Sequence, residues 1–231
     1  MLNLSKCSLQ TGLSLVLLLN VTLAQAIAPV VIKKETANYI LDIKYPQGFQ
    51  SVEVNSAIKD FIEKTQKGFM NDLSQDADTP ADAPGKTGLN IVYSIPYKSK
   101  NALSVRFDVS IYHRGAAHPA NTVVVENFIA GHPVQLADLF VDGADYLKPI
   151  AAFSKQAITA KNISDEKWIT EGTQPTAKNY QVWAFNKKGI FILFNSYQVA
   201  AYVYGPQTVV IPLATLSSLI KPKLSETVWS H

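Results

Sequence analysis

Alternating apolar and polar residues predict β-strands in several segments of the chain. In ANYILDIKYP, residues 37–46, one face is aliphatic and aromatic while the other is charged, and a partner strand is expected from Val30 to Lys34. LNIVYSIPY and ALSVRFDVSIYH, residues 89–97 and 102–113, predict two strands joined by a tight turn, and NTVVVENF, residues 121–128, predicts the next. In YQVWAFNKKGIFILFN, residues 180–195, Asn186 and Gly189 bracket a hairpin turn. The return strand is apolar on both faces, which predicts a central, buried position.

Two other segments repeat apolar residues at helical spacing. From about Val54 to Leu73, one side of the predicted helix is charged and the other side is apolar. The apolar side consists of Ile58, Phe61, Ile62, Phe69 and Leu73. The second segment, DYLKPIAAFSKQAI at residues 145–158, tolerates Pro149 only within the first turn of its helix. The order of these elements predicts an α+β fold, with a mostly antiparallel sheet covered by two main helices.

The composition of the chain changes at SQDADTPADAPGK, residues 74–86. This segment has two prolines, several aspartates and no large apolar residue, so it is expected to form an exposed loop or a hinge. We place the loop or hinge at residues 76–88. It then separates a strand-strand-helix module, residues 27–75, from a C-terminal domain, residues 89–231.

The start of the chain has the pattern of a secretory signal peptide. Lys6 precedes an apolar run from Leu13 to Leu23, and small residues follow at Ala24 and Ala26. The run is too short to span a bilayer and no second such run follows, so we expect a signal peptide over residues 1–26, a periplasmic or secreted protein, and no membrane span. Cys7, the single cysteine, would be removed with it. The formal net charge of +3 is too balanced to favour nucleic acid as a partner.

Two histidines lie in YHRGAAHPANTVVVENF, residues 112–128. His113 and His118, with Asp108 or Asp138, are of the residue types that bind zinc. A spacing of five residues across a turn that contains glycine matches no standard zinc motif. We therefore favour a structural turn, which the His118 side chain holds through a hydrogen bond before Pro119. No metal and no cofactor are expected.

Residues for covalent or acid–base catalysis are not indicated. The serines considered as nucleophiles have no Gly-x-Ser-x-Gly elbow around them. They are Ser110, Ser154 and Ser196. The carboxylates considered for a glycosidase pair are scattered, and such positions are more often helix caps and solvated surface. They are Asp138, Asp142, Asp145, Glu166 and Glu171.

A family resemblance is visible in three segments: AAHPANTVVVENFIAGHPVQLADLF, the helix start YLKPIAAF, and FNKKGIFILFNSYQVAAYVYGPQTVVIPLATL. Together they resemble the C-terminal domain of RsiV-type anti-sigma factors, which also occurs in PdaC-type peptidoglycan deacetylases. The resemblance covers roughly Leu89 to Leu216, and the preceding strand-helix unit is similar to a small module that accompanies this domain. Ala201 stands where the family usually has proline. The resemblance implies that the protein binds lysozyme or cell-wall glycan and does not catalyse a reaction. It also implies that this chain is the recognition part of its relatives, exported alone.

The aromatic loop NSYQVAAYVYGPQ, residues 195–207, is the candidate binding site. Exposed Tyr197, Tyr202 and Tyr204 would anchor a protein partner or stack on sugar rings, and Tyr202 takes the place of the tyrosine in the family's Ala-Pro-Tyr element. Alternatively the tyrosines cap the end of the sheet, and at least one is expected to pack inward. The sequence thus predicts an exported cell-envelope binding module for lysozyme or peptidoglycan glycan. The alternative is a weak or metal-assisted cell-wall hydrolase, or a deacetylase-accessory protein.

Overall fold

A computed structural model describes residues 27–73 and 83–229. The signal peptide predicted at residues 1–26 and most of the loop or hinge predicted at residues 76–88 lie outside the described residues. The described residues form two β-sheets and several helices, which confirms the α+β class. Where one sheet was expected, the strands divide into two. No helix in these residues is long and apolar enough to cross a membrane.

The larger sheet has six strands that follow one another in chain order. They are β1 (Ala28–Glu35), β2 (Tyr39–Gln47), β3 (Thr87–Lys98), β4 (Ala102–Tyr112), β5 (Ala120–Ile129) and the short β6 (His132–Pro133). All neighbours are antiparallel except β2 and β3, which run parallel. A parallel pair needs a long crossover, and α1 (Val52–Leu73) lies within it. Strands on both sides of the predicted hinge therefore share one sheet, and the division into two modules stays a proposal.

Helix α1 covers one face of this sheet and forms what we call the α1 core. Its buried residues are Val54, Ile58, Ile62 and Phe69. They pack against strand residues such as Ile43, Ile91 and Phe107, each essentially inaccessible. The predicted apolar face is thus confirmed at three of its positions, but Phe61 and Leu73 are only half-buried. The Phe61 ring lies 4.7 Å from that of Phe107 at the border of the core, so it contributes less than a fully enclosed phenylalanine.

The smaller sheet contains β7 (Trp183–Asn186), β8 (Gly189–Phe194) and β9 (Gln207–Pro212), with β8 in the centre. The predicted hairpin and its buried return strand are confirmed. The remaining α-helices of the described residues are α2 (Leu147–Thr159), α3 (Glu166–Gly172), α4 (Leu213–Leu216) and α5 (Pro222–Trp229). Pro149 is the third residue of α2, inside the first turn as expected. Buried Ile150 and Ile158 of α2 pack with this sheet and α5 in what we call the second core.

Two buried polar side chains join the sheets. The hydroxyl of Ser104, on β4, donates to the side-chain oxygen of Asn127, on β5, at 2.6 Å. The amide of Asn127 donates to the carbonyl of Trp183, and the backbone N–H of Phe185 donates to the hydroxyl of Ser104. Strand β7 therefore contacts the larger sheet through side chains instead of extending its ladder, which explains why two sheets form. The open face of the larger sheet, opposite α1, meets the smaller sheet along this line.

Candidate functional site

The tyrosine loop, residues 195–207, is clamped to the edge of β5 at its first residue. The side-chain oxygen of Asn195 accepts a hydrogen bond from the backbone N–H of Val123 at 2.7 Å, and its amide donates to the carbonyl of the same residue at 3.3 Å. This side chain thus takes the place of a neighbouring strand. The loop is thereby held beside the turn between β4 and β5.

Helix α3 and the segment after it hold the loop through hydrogen bonds. The indole N–H of Trp168 donates to the carbonyl of Tyr197 at 2.9 Å, and the amide of Gln198 donates to the carbonyls of Gly172 and Asn179. A β-carbon on Gly172 would lie 2.0 Å from the carbonyl oxygen of Gln198, so only glycine permits this approach. Tyr197 itself has φ of 67°, which is uncommon for a bulky residue. Such a conformation persists only where the surroundings enforce it.

Three rings from two separate segments meet at the surface, and we call them the aromatic cluster: His118, Tyr197 and Tyr202. The imidazole of His118 stacks on the ring of Tyr202, with centroids 4.2 Å apart and planes 22° apart. The Tyr197 ring lies 5.6 Å from that of Tyr202, and its hydroxyl is 3.5 Å from Nε2 of His118. The cluster is exposed at Tyr197 and His118, while Tyr202 is half-buried.

The hydroxyl of Tyr202 is fixed by two hydrogen bonds to the turn. It accepts from the side-chain amide of Asn121 at 2.7 Å and donates to the carbonyl of Pro119 at 3.2 Å. The Nδ1 atom of His118 lies 3.0 Å from the same carbonyl. The rings are therefore held in place without a ligand.

The structure brings only two of the three predicted site tyrosines together. Tyr197 and Tyr202 come together, and Tyr202 is the one that packs inward. Tyr204 is 49% exposed but makes no ring contact with the cluster, and Val203 beside it is 83% exposed at the loop apex. Sequence reasoning missed His118 as a partner of the tyrosines. The Ala-His-Pro turn and the tyrosine loop were both recognised, but 79 residues separate His118 from Tyr197 and no local pattern connects them.

Residues 113–119 form a turn between the antiparallel strands β4 and β5, as expected, and the purely structural role of His118 stays a prediction. In the described ranges, no group of three or more histidine, cysteine, aspartate or glutamate side chains could hold a metal ion. Asp108 forms an ion pair with Arg106, and the carboxylate of Asp138 accepts from the backbone N–H of Gln135 at the start of a 3-10 helix.

The other carboxylates considered lie at the surface. Asp142, Asp145 and Glu166 each pair with an exposed or partly exposed lysine, and their side chains are 57% to 99% exposed. Solvation of this kind keeps a carboxylate in its ordinary role as a surface charge. The aromatic cluster is therefore the feature of the described chain that is best arranged for recognition.

Two family models match the chain. The model described as "Deacetylase PdaC" matches residues 32–121, and the model described as "Protein of unknown function (DUF3298)" matches residues 137–214. The aromatic cluster draws on the last residues of the first match and on the second match.

Similar proteins are known by sequence and by structure. The peptidoglycan-N-acetylmuramic acid deacetylase PdaC of Bacillus subtilis (strain 168) is 29% identical over 202 residues, which cover 84% of this chain and 41% of that protein. The chain thus spans about two fifths of its curated relative.

Solved structures share the fold. A DUF3298 family member from Bacteroides fragilis NCTC 9343 is 18% identical with a TM-score of 0.61, over 88% of this chain and 98% of that one. A DUF3298 family protein from Pseudomonas aeruginosa PAO1 is 14% identical with a TM-score of 0.60, over 87% of this chain and 96% of that one. The two family models and the curated relative thus show that most of this chain is similar to part of PdaC.

Proposed function

We propose that this protein is an exported cell-envelope protein that binds the glycan of peptidoglycan through the aromatic cluster, without catalysis of its own. The observation that carries the proposal is the stack of His118 on Tyr202 beside an exposed Tyr197. Sugar rings present apolar C–H faces that pack on aromatic rings, while their hydroxyls bond to polar groups at the ring edges. Asn121 and His118 supply such groups here.

The fixed geometry of the cluster supports binding. Because the Tyr202 hydroxyl is already bonded to Asn121 and Pro119, the ring does not have to be ordered when a ligand arrives. Each immobilised side chain otherwise costs roughly 0.5–1.5 kcal/mol on binding. A preorganised aromatic surface therefore retains more of its contact energy as affinity.

The choice of peptidoglycan rests on the curated relative, whose name states that it acts on peptidoglycan N-acetylmuramic acid. We take from it the substrate class and not the reaction. Export follows from the leader expected at residues 1–26, which would place the protein in the periplasm or outside the cell. The resemblance to RsiV-type domains makes a lysozyme-type protein the competing partner.

A sedimentation assay with insoluble peptidoglycan tests the proposal. Tyr202→Ala removes the ring that both other members of the cluster contact, so we expect binding to weaken roughly thirtyfold, the scale of 2 kcal/mol. Tyr204→Ala is the matched control, since it is a tyrosine of the same loop outside the cluster, and we expect it to change affinity less than threefold. Circular dichroism shows that each variant is folded.

The same protein is tested against immobilised lysozyme. Binding to lysozyme with no retention on peptidoglycan would replace the glycan proposal by a protein partner. Retention on peptidoglycan that is equal for Tyr202→Ala and the parent protein would place the glycan site elsewhere.

A further inference from the structure

A cavity opens at one end of the larger sheet, beside the last residues of β5. Its volume is about 390 Å³, within the range of about 300–1,000 Å³ that is usual for small-ligand sites. Its lining comes from three segments, residues 49–54, 98–103 and 128–131. The aromatic cluster bonds to Pro119 and Asn121, at the opposite end of β5, so the two places are separate.

Hydrogen bonds between the three segments fix the walls of the cavity. The hydroxyl of Ser51 donates to the carbonyl of Gly131 at 3.0 Å and accepts from the backbone N–H of Val54 at 3.2 Å. The carbonyl of Asn101 accepts from the backbone N–H of Ala130 at 2.7 Å. A β-carbon on Gly131 would lie 2.9 Å from the side chain of Ser51, so this close approach requires glycine. The cavity is therefore formed before any ligand binds.

Two lysines, Lys98 and Lys100, give the cavity a positive charge, and no carboxylate lies among the described residues that line it. Lys98 lies opposite Leu103 in the register of β3 and β4, so it shares the face of the sheet that α1 covers. In the part of the chain that the structure describes, neither ammonium group has a hydrogen bond or an ion pair. Glu53, in the first turn of α1, does not line the cavity and pairs with His132. Two positive charges are thus left for a ligand.

The cavity also has an apolar side. Val54, Leu103 and Phe128 of the α1 core are at most 9% exposed behind it, whereas Phe49 is half-buried and Ala130 is exposed. A ligand can therefore contact the ring of Phe49 while its charged group meets the lysines. A small hydrated anion alone would leave this apolar surface unused.

The charge of the lining matches a phosphate monoester better than a carboxylate. A phosphate monoester carries about −1.5 to −2 charges near pH 7 and three acceptor oxygens, whereas a carboxylate carries a single charge. Lysine is a common phosphate ligand in proteins and acts there as a point charge. We propose that this cavity binds a phosphate monoester whose small organic group packs against Phe49. The site is separate from the aromatic cluster and does not depend on glycan binding.

The test titrates phenyl phosphate into the ¹⁵N-labelled protein and follows the amide signals of residues 98–101 and 130–131 by nuclear magnetic resonance. Phenyl sulfate is the matched ligand, because it has nearly the same shape but a single negative charge. Inorganic phosphate lacks the ring. We expect phenyl phosphate to bind about fivefold more tightly than either, with the largest shifts at these residues.

Variants separate the contributions of charge and ring. Lys98→Gln and Lys100→Gln each remove one positive charge, so each should weaken phenyl phosphate binding about fivefold. Lys44→Gln is the matched control, since Lys44 is an exposed lysine of β2 that does not line the cavity, and it should bind as the parent does. Phe49→Ala, shown to be folded by circular dichroism, should bind phenyl phosphate and inorganic phosphate equally.

The outcomes that contradict the proposal are distinct. Phenyl phosphate binding that is absent, or that Lys98→Gln and Lys100→Gln leave unchanged, would overturn the site. Equal binding of phenyl phosphate and inorganic phosphate by the parent protein, lost in both lysine variants, would overturn the contact with Phe49 and leave a phosphate site. Tyr202→Ala should bind phenyl phosphate as the parent does, and a loss there would show that this site and the aromatic cluster are not separate.

Discussion

At the scale of single residues, the site depends on groups that are fixed before a ligand binds. Tyr202 has both its ring and its hydroxyl occupied by contacts to the turn, and Tyr197 is held in a left-handed conformation by the bond from Trp168. Ala201 is a further such position, since its φ of −61° and ψ of 154° already match the backbone of proline.

We therefore expect Ala201→Pro to stabilise the protein and to tighten glycan binding. Proline at a compatible position restricts the unfolded chain and stabilises by about 0.4–1 kcal/mol. It would also stiffen the segment that carries Tyr202. Denaturant unfolding and peptidoglycan sedimentation measure the two effects, and a loss of stability would show that the neighbouring backbone does not accept the ring.

Tyr180, outside the tyrosine loop, gives a prediction about pH. Its side chain is 1% exposed, its hydroxyl donates to the carbonyl of Thr173 at 2.8 Å, and burial raises the pKa of Tyr180 to about 12. In the unfolded chain the pKa is near 10, so the unfolded state loses its proton first as the pH rises. The stabilisation from this group is therefore full below pH 10 and is lost as the pH approaches 12.

The comparison with Tyr180→Phe isolates this effect. Below pH 10 the variant should be less stable by about 1 kcal/mol, because the Thr173 carbonyl loses its donor. The difference in unfolding free energy between the two proteins should then shrink above pH 9 and change sign before pH 11.5, because each pKa unit of separation is worth about 1.4 kcal/mol. A difference that stays constant over this range would mean that Tyr180 ionises as readily in the folded protein as in the unfolded one.

At the scale of secondary-structure elements, α3 decides where the tyrosine loop lies. The contact between Gly172 and the loop has no room for a side chain, and a β-carbon there would also lie 2.8 Å from Cγ1 of Val199. The carbonyl oxygen of Gln198 that this β-carbon would meet belongs to the backbone, so it cannot rotate away as a side chain can. The loop must move instead.

Gly172→Ala should therefore lower stability by more than 1 kcal/mol and weaken peptidoglycan binding as well. Gly68→Ala is the matched control, because Gly68 is also helical but a β-carbon there meets no atom within 4 Å. That change should be neutral or stabilising by about 0.5–1 kcal/mol. Thermal unfolding and sedimentation measure both variants, and similar behaviour of the two would show that the loop yields at no cost.

The elements that sequence reasoning found have strong periodicity. Strands β2 to β5, the hairpin of β7 and β8, and α1 each show it over most of their length. Helices α3 and α5 have seven and eight residues, too few for a clear pattern, and neither was predicted. The split into two sheets depends on Ser104 and Asn127, and the site depends on His118 meeting the tyrosine loop. Both arise from contacts between distant segments, which local periodicity does not encode.

At the scale of the whole molecule, the α1 core and the second core are coupled through the strands they share. Strands β3 to β5 contribute to both, since Phe107 and Phe128 belong to the α1 core while Tyr97 and Ile129 belong to the second. The Ser104–Asn127 pair lies where the sheets meet and is buried. Few polar contacts therefore couple the two cores, and the rest of the interface between them is apolar.

Asn127→Ala should weaken this coupling. The change leaves the Trp183 carbonyl and the Ser104 hydroxyl short of a partner, at a cost of about 1–3 kcal/mol for a buried polar group. Trp183 and Trp229 belong to the second core, and Trp168, the third tryptophan, lies in α3. Tryptophan fluorescence therefore reports mainly on the second core, whereas far-ultraviolet circular dichroism reports on both. In the parent protein the two transitions should coincide.

In Asn127→Ala the fluorescence transition should move to lower denaturant, ahead of the circular dichroism transition, because β7 loses its anchor on the larger sheet. Asn90→Ala is the matched control: it removes an exposed asparagine of the same sheet, whose amide donates to the carbonyl of Asp42. The two signals of that control should stay together. If they also stay together in Asn127→Ala while the common midpoint falls, the cores are coupled mainly by the apolar residues of β3 to β5 rather than by the buried polar pair.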